Sequence, residues 1–279
     1  MKKSLSLIFV LTFSLALFGS VSFAAKKDKK VSSKKKANIE QKITVKDSIK
    51  QDKAVQLVLN AVSSGDFDTT KNLIEKSNID INVADENGTT ILMKACCNTN
   101  LDLVKYLIEN KADITKTDKR NYNALMYAIE KSSLDIVRYL FEDSTVDIKE
   151  LTTNQLNLLS LAIKNSDIRV LNYLAEVQSF DLTLRTEDGT TLEMMAAALG
   201  NIEAVKYLLD KGADTNIKDN NGNDILIYAV KSGNLDLVEY LVNSSVVDVN
   251  TKNNDNKTAK DIAIENNQAE IAKFLAQKI

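Results

Sequence analysis

Apolar and polar positions along this chain repeat with a period far longer than that of one helix or strand. LDLVKYLIENKAD runs from Leu101 to Asp113, and the phrase returns as LDIVRYLFEDSTVD at Leu134–Asp147, IEAVKYLLDKGAD at Ile202–Asp214 and LDLVEYLVNSSVVD at Leu235–Asp248. In the first of these, Leu101, Val104, Leu107 and Ile108 stand at i, i+3, i+6 and i+7, the apolar stripe of a helix. An alanine landmark falls at Ala61, Ala95, Ala128, Ala162, Ala196, Ala229 and Ala263. A leucine landmark falls at Leu73, Leu107, Leu140, Leu174, Leu208, Leu241 and Leu275. Both advance by 34, 33, 34, 34, 33 and 34 residues, so the chain holds seven copies of one unit. Each copy reads as a polar turn (Asp85–Gly88), a short helix, a polar break at Asn98–Asn100, a second helix and an Asp-containing return. Such a unit cannot bury its apolar face alone; stacked neighbours bury it jointly, as a solenoid.

The turn and helix starts NGTTILMKAC (Asn87–Cys96) and DGTTLEMMAA (Asp188–Ala197), the ending GADTN (Gly212–Asn216) and KTAKDIA (Lys257–Ala263) closely resemble the ankyrin repeat. The resemblance implies an all-α ankyrin-repeat solenoid of about seven helix-turn-helix units joined by β-turn or hairpin loops. The units span residues 51–84, 85–117, 118–151, 152–185, 186–218, 219–252 and 253–279. The departures are systematic. The family's proline slot holds Ile91, Ala124, Leu158, Leu192, Ile225 and Ala259, and its histidine slot holds Met93, Met126, Ser160, Met194, Ile227 and Asp261. Without that histidine, the units are expected to stack through apolar packing. Gly88, Gly189 and Gly222 fill the turn slot, with Asn121 and Asn256 as substitutes that tolerate the left-handed region. Gln155 fits that slot poorly, which makes copy four, Thr152–Arg185, the most divergent. Tyr106, Tyr139, Tyr173, Tyr207 and Tyr240 share one slot on the second helix and read as packing.

Composition narrows the chemistry. The chain has no His, Pro or Trp. Without His, triads of Ser-His-Asp or Cys-His type are excluded, and neither a Walker loop nor a dinucleotide-binding glycine run is present. The Asp219–Asp224 run carries Ile217 where a Ca²⁺ loop needs Asp, and is a repeat turn. Cys96 falls in a packed slot, while Cys97 is expected on the concave face, and nothing supplies the remaining ligands of a zinc site. No cofactor, no metal and no catalysis are expected. A carboxylate-based enzyme is the more distant alternative, and would need two facing carboxylates in the groove.

The amino terminus changes the picture. Lys2 and Lys3, the apolar run Leu5–Phe18, Gly19 and Ser22-Phe23-Ala24 form the pattern of a cleaved secretory signal over residues 1–24, with an uncleaved membrane anchor as the competing reading, for which the apolar run is short. Residues 25–50 form a Lys-rich tail, with seven lysines between Lys26 and Lys36. An exported protein, periplasmic or secreted, is expected. Setting aside Lys2, Lys3, those seven lysines and Asp28, 27 basic residues face 37 acidic ones, a net charge of −10. So acidic a body argues against nucleic acid. The tail offers weak attraction to an anionic envelope surface, and a structural protein tethered there is the nearer alternative.

The functional expectation is a monomeric module that binds an unknown protein partner through hairpin tips and a concave groove. The resemblance places the residue after the turn glycine on an exposed tip: Thr89, Tyr122, Leu156, Thr190, Asn223 and Lys257. Tyr122 and Leu156 stand out there, with Arg120 on the same tip. Leu199 is the large apolar residue among the concave slots, which also hold Lys131, Lys164 and Lys231. A contact centre of Arg120, Tyr122, Leu156 and Leu199 flanked by the three lysines follows from the enrichment of Tyr and Arg at binding hot spots.

Overall fold

The computed structural model describes residues 51–77, 79–142, 152–165 and 167–278. The expected signal segment and Lys-rich tail lie outside the described residues. Residues 51–63 are helical (α1), and α2 is Phe67–Ser77. Then follow the pairs α3 (Ile91–Cys97) and α4 (Leu101–Glu109), α5 (Ala124–Glu130) and α6 (Leu134–Glu142), α7 (Gln155–Ile163) and α8 (Arg169–Asn172). The remaining pairs are α9 (Leu192–Ala198) and α10 (Ile202–Asp210), α11 (Ile225–Ser232) and α12 (Leu235–Asn243), α13 (Ala259–Glu265) and α14 (Ala269–Ala276). No strand occurs among the described residues, only single antiparallel bridges at Ala84–Thr90, Arg185–Thr191 and Lys252–Thr258.

The first helix of each unit packs on the first helix of the next, from α3 through α5, α7, α9 and α11 to α13, and each also contacts the second helix of its own unit. Burial follows from this. In α5, every residue from Ala124 to Ile129 is buried, although the helix is barely two turns long. The alanine slot explains itself: Ala95, Ala128, Ala196, Ala229 and Ala263 are wholly buried at the helix–helix contact, where only a small side chain fits.

Four of the turns are built around one carboxylate or amide, and a fifth around the Thr186 hydroxyl, which accepts from the Thr190 N–H. The Asp118 N–H donates to the Tyr122 carbonyl, and its Oδ1 accepts from the N–H groups of Arg120 (2.8 Å) and Tyr122 (2.9 Å). Asp85, Asp219 and Asn253 repeat the pattern. Consecutive turns are tied by backbone bonds from Lys119 N to Asn87 O, Asn220 N to Asp188 O and Asn254 N to Asn221 O. At Gly222, φ is +77° and an added Cβ would lie 2.8 Å from the Asn254 nitrogen, so only glycine permits that approach.

This geometry corrects the expected tip. Thr89, Thr190 and Asn223 are buried, and Tyr122 is half-buried against the core. The carbonyl of this residue closes the turn, which brings its side chain inward: the Thr190 hydroxyl meets Tyr228, and Asn223 bonds Asp219 and Asn253.

Stacking is also less purely apolar than expected. Asn100, Asn201 and Asn234 cap second helices by accepting from the backbone N–H three residues on. Their amide nitrogens donate to the preceding unit, at Gly65 O, Ile163 O and Gly200 O. Gln268 continues the ladder to Val230 O. Each asparagine thus satisfies one orphan donor at its own helix start and an orphan acceptor in the preceding unit, whereas Gln268 makes only the second of these contacts.

Copy four departs from the rest. Its first helix starts three residues early, with Asn154 as N-cap, so Gln155 and Leu156 belong to the first turn of α7. Its second helix is the four-residue α8, which lacks a side-chain cap and runs into a π-helical turn, Tyr173–Val177.

Candidate functional site

The expected contact residues fall into two groups, at opposite ends of the first helices. Seven residues of α5 rise roughly 10 Å, which separates Arg120 and Tyr122 from Lys131.

At the turn before α5, the Arg120 guanidinium lies 4.4 Å from the Tyr122 ring centre and 5.4 Å from that of Tyr127. Its Nη2 donates to the Tyr127 hydroxyl (2.7 Å) and its Nε to Asp118 Oδ2 (3.2 Å), while the Tyr127 hydroxyl donates to the same Oδ2 (2.9 Å). Burial works against the Asp118 charge. The Tyr122 N–H, the Tyr127 hydroxyl and the Arg120 donors overcome it and hold the carboxyl below its usual range. Burial, with Asp118 beside it, pushes the Tyr127 phenol up. A cleft of about 320 Å³ opens here, lined by Asn87, Thr89, Asp118, Lys119, Arg120 and Tyr127. Arg120 is the exposed head of a braced network. Tyr122 supports it from below and is not a free anchor.

The same brace recurs. Nine residues after the turn Asp stands a donor: Lys94 Nζ on Asp85 (2.7 Å), Tyr127 on Asp118, and Tyr228 on Asp219 (2.8 Å). The signal was available as matched Asp and Tyr at 118/127 and 219/228, and reading the tyrosines of the second helix alone passes over it. It also settles the Asp219–Asp224 run, whose lead carboxylate is consumed by its own turn and by Tyr228.

Leu156 does not join Arg120 and Tyr122 on a tip. It is half-buried in α7 and packed on the core.

The second group lies at the C-terminal ends of the first helices. Lys131 caps α5, Lys164 caps α7, Leu199 caps α9, and Lys231 sits in the last turn of α11. All four are exposed, Leu199 to 54%. None of the three lysines makes a salt bridge among the described residues; Lys231 lies 5.2 Å from the Tyr228 ring centre. Helix C-termini favour cations through their partial negative charge. Leu199 has no such rationale.

Cys96 is wholly buried, and burial pushes its thiol up; Cys97 is half-buried. No cluster of His, Cys, Asp and Glu suited to a metal, and no helix long and apolar enough to cross a membrane, occurs among the described residues.

A family model for ankyrin repeats matches the chain in three copies, at residues 58–152, 142–219 and 194–279. The palmitoyltransferase akr1 of Schizosaccharomyces pombe is 44% identical over 54 residues, which is 19% of this chain and 8% of that protein. A stretch so short, little more than one and a half units, carries the likeness of the repeats and none of the transferase's activity.

Proposed function

Since the chain belongs to the ankyrin-repeat family, we propose that it is an exported interaction module that binds a protein partner and performs no chemistry of its own. The observation that carries this reading is Leu199. It is a large apolar side chain, exposed at a helix cap where a polar residue serves as well, and bordered on neighbouring units by Lys164 and Lys231, which make no salt bridge among the described residues. A single exposed apolar residue is ordinary on a protein surface; the cations flanking Leu199 on neighbouring units give it the apolar centre and polar rim of a binding hot spot. Arg120 and Lys119, at the mouth of the cleft on the other edge, form a second contact. The pattern of residues 1–24 supports export, and the Lys-rich tail would bring the module to an anionic surface.

The test is crosslinking of the exported protein in the envelope of its producing cell, with mass spectrometry of the adducts and N-terminal sequencing. The mature chain should begin at Ala25. Leu199→Ser should lose the adducts that the parent forms while unfolding at the same temperature. Tyr122→Ala should instead lower the melting temperature. Retention of every adduct by Leu199→Ser and by Arg120→Ala would sink the reading.

A further inference from the structure

The first-helix ends have a spacing as well as a chemistry. Lys131, Lys164, Leu199 and Lys231 come from four consecutive units, one side chain each, at two adjacent positions of the helix end: Lys131 and Leu199 follow the packed alanine of their units by three residues, Lys164 and Lys231 by two. Packed helices lie about 8–10 Å apart, and an extended chain advances about 3.3 Å per residue. One unit therefore matches about three residues of an extended segment. Building on the binding-module reading, we infer that this edge binds an extended acidic segment with one apolar side chain: acidic residues at i, i+3 and i+9, and an apolar residue at i+6 seated on Leu199, in either chain direction.

Charge decides the sign of the partner. Lys131, Lys164 and Lys231 are exposed and without salt bridges among the described residues, on a chain whose net charge is −2. The acidic side chains in the same slots are Glu130, half-buried beside Lys131, and Glu265 of the last unit, which is paired with Lys257. The edge is thus a local reversal of the chain's charge. It repels the chain's own Lys26–Lys36 run, which removes that segment as its occupant. The apolar position at i+6 fixes the register, since the cations alone accept any acidic run, whereas Leu199 rewards one placement.

Two fluorescent 14-residue peptides test this with the full-length mature protein. One carries Glu at positions 1, 4 and 10 with Leu at 7; the other, for the opposite direction, carries Glu at 1, 7 and 10 with Leu at 4. Ser and Thr fill the rest, and each has a shuffled control of equal composition. Fluorescence anisotropy should show one in-register peptide binding at least tenfold tighter than its control, and more weakly as salt rises. Lys164→Glu and Leu199→Ser should each weaken that binding about tenfold with unchanged melting temperature. Lysines that serve only the helix ends would show the reverse, a lower melting temperature and unchanged binding. Equal affinity for in-register and shuffled peptides, or no binding by either up to 1 mM, overturns the inference. If Leu199→Ser still loses its envelope adducts in that event, the module reading stands and the partner is not acidic; if every adduct persists in Leu199→Ser and in Arg120→Ala as well, both fall.

Discussion

At the scale of single residues, Asp219 organises its surroundings. Its Oδ1 takes two backbone N–H groups, and its Oδ2 takes Asn223 Nδ2 (2.9 Å) and the Tyr228 hydroxyl. Tyr228→Phe leaves the ring's packing and removes one donor from a buried carboxylate, together with the partner of Thr190. Such a loss costs about 1–2 kcal/mol, which urea denaturation at pH 7 will show; an unchanged midpoint would mean that the brace is incidental. Ser132 is the opposite case. It stands at φ +52°, in the slot that Gly65, Gly200 and Gly233 fill in other units, and its buried hydroxyl has no hydrogen-bond partner. The left-handed region costs an ordinary residue about 1–2 kcal/mol. Ser132→Gly is therefore expected to stabilise the protein, by roughly 1 kcal/mol after the backbone entropy of glycine is set against it, and a lower melting temperature would contradict this.

At the scale of elements, copy four is the weak link. α8 has four α-helical residues and no side-chain cap, and the π turn that follows departs from the regular i to i−4 ladder. In a stack held by nearest-neighbour contacts, one unit can open while the others hold. Hydrogen exchange is expected to be faster across Arg169–Val177 than across α10, which has Asn201 as a cap and ordinary α geometry; equal protection in the two segments would refute the difference. The position of this irregularity was legible in the sequence, because Gln155 interrupts the run of glycines and asparagines that mark the other turns. Its form was not. The same misfit lets Asn154 cap the helix three residues early and so moves Leu156 off the expected tip. The seven-fold period, the helix pairs and the packed alanine slot were equally legible, since each rests on side-chain size and periodicity. The inward-facing residue after the turn glycine was not, because polar identity at Thr89, Thr190 and Asn223 reads as exposure until the turn's own hydrogen bonds are seen. The asparagine ladder was hidden for a similar reason. Asn100, Asn201 and Asn234 look like break residues, and only stacking shows the carbonyl that each one meets in the preceding unit.

At the scale of the whole molecule, the absence of histidine and the turn carboxylates together set how the stack responds to pH. Asp85, Asp118 and Asp219 are all held below the ordinary carboxylate range. Burial opposes this at each site, and the turn N–H groups outweigh it, joined by Lys94, Tyr127 and Tyr228 respectively. A carboxyl depressed in the folded state stabilises the fold above its unfolded pKa of about 3.9, and that contribution is lost as pH falls through the folded value. Asp224 runs the other way: burial raises its pKa, so its ionisation weighs against the fold as pH climbs past the ordinary range. Three braced turns against one buried cap leave acid as the destabilising direction. No side chain in the protein has an ordinary pKa between about pH 5 and 8, where histidine alone would titrate, and burial moves the Cys96 thiol further from that window. The urea midpoint is therefore expected to stay level from pH 8 to about pH 5.5 and to fall steeply below pH 4. Asp219→Asn should start lower at pH 7 and lose less on acidification, because the proton it would have gained has no site to occupy. A midpoint that drifts between pH 5.5 and 7.5 in the parent, or an acid limb as steep in Asp219→Asn as in the parent, would place the titrating groups outside the turns and remove the braced carboxylates from the account of stability.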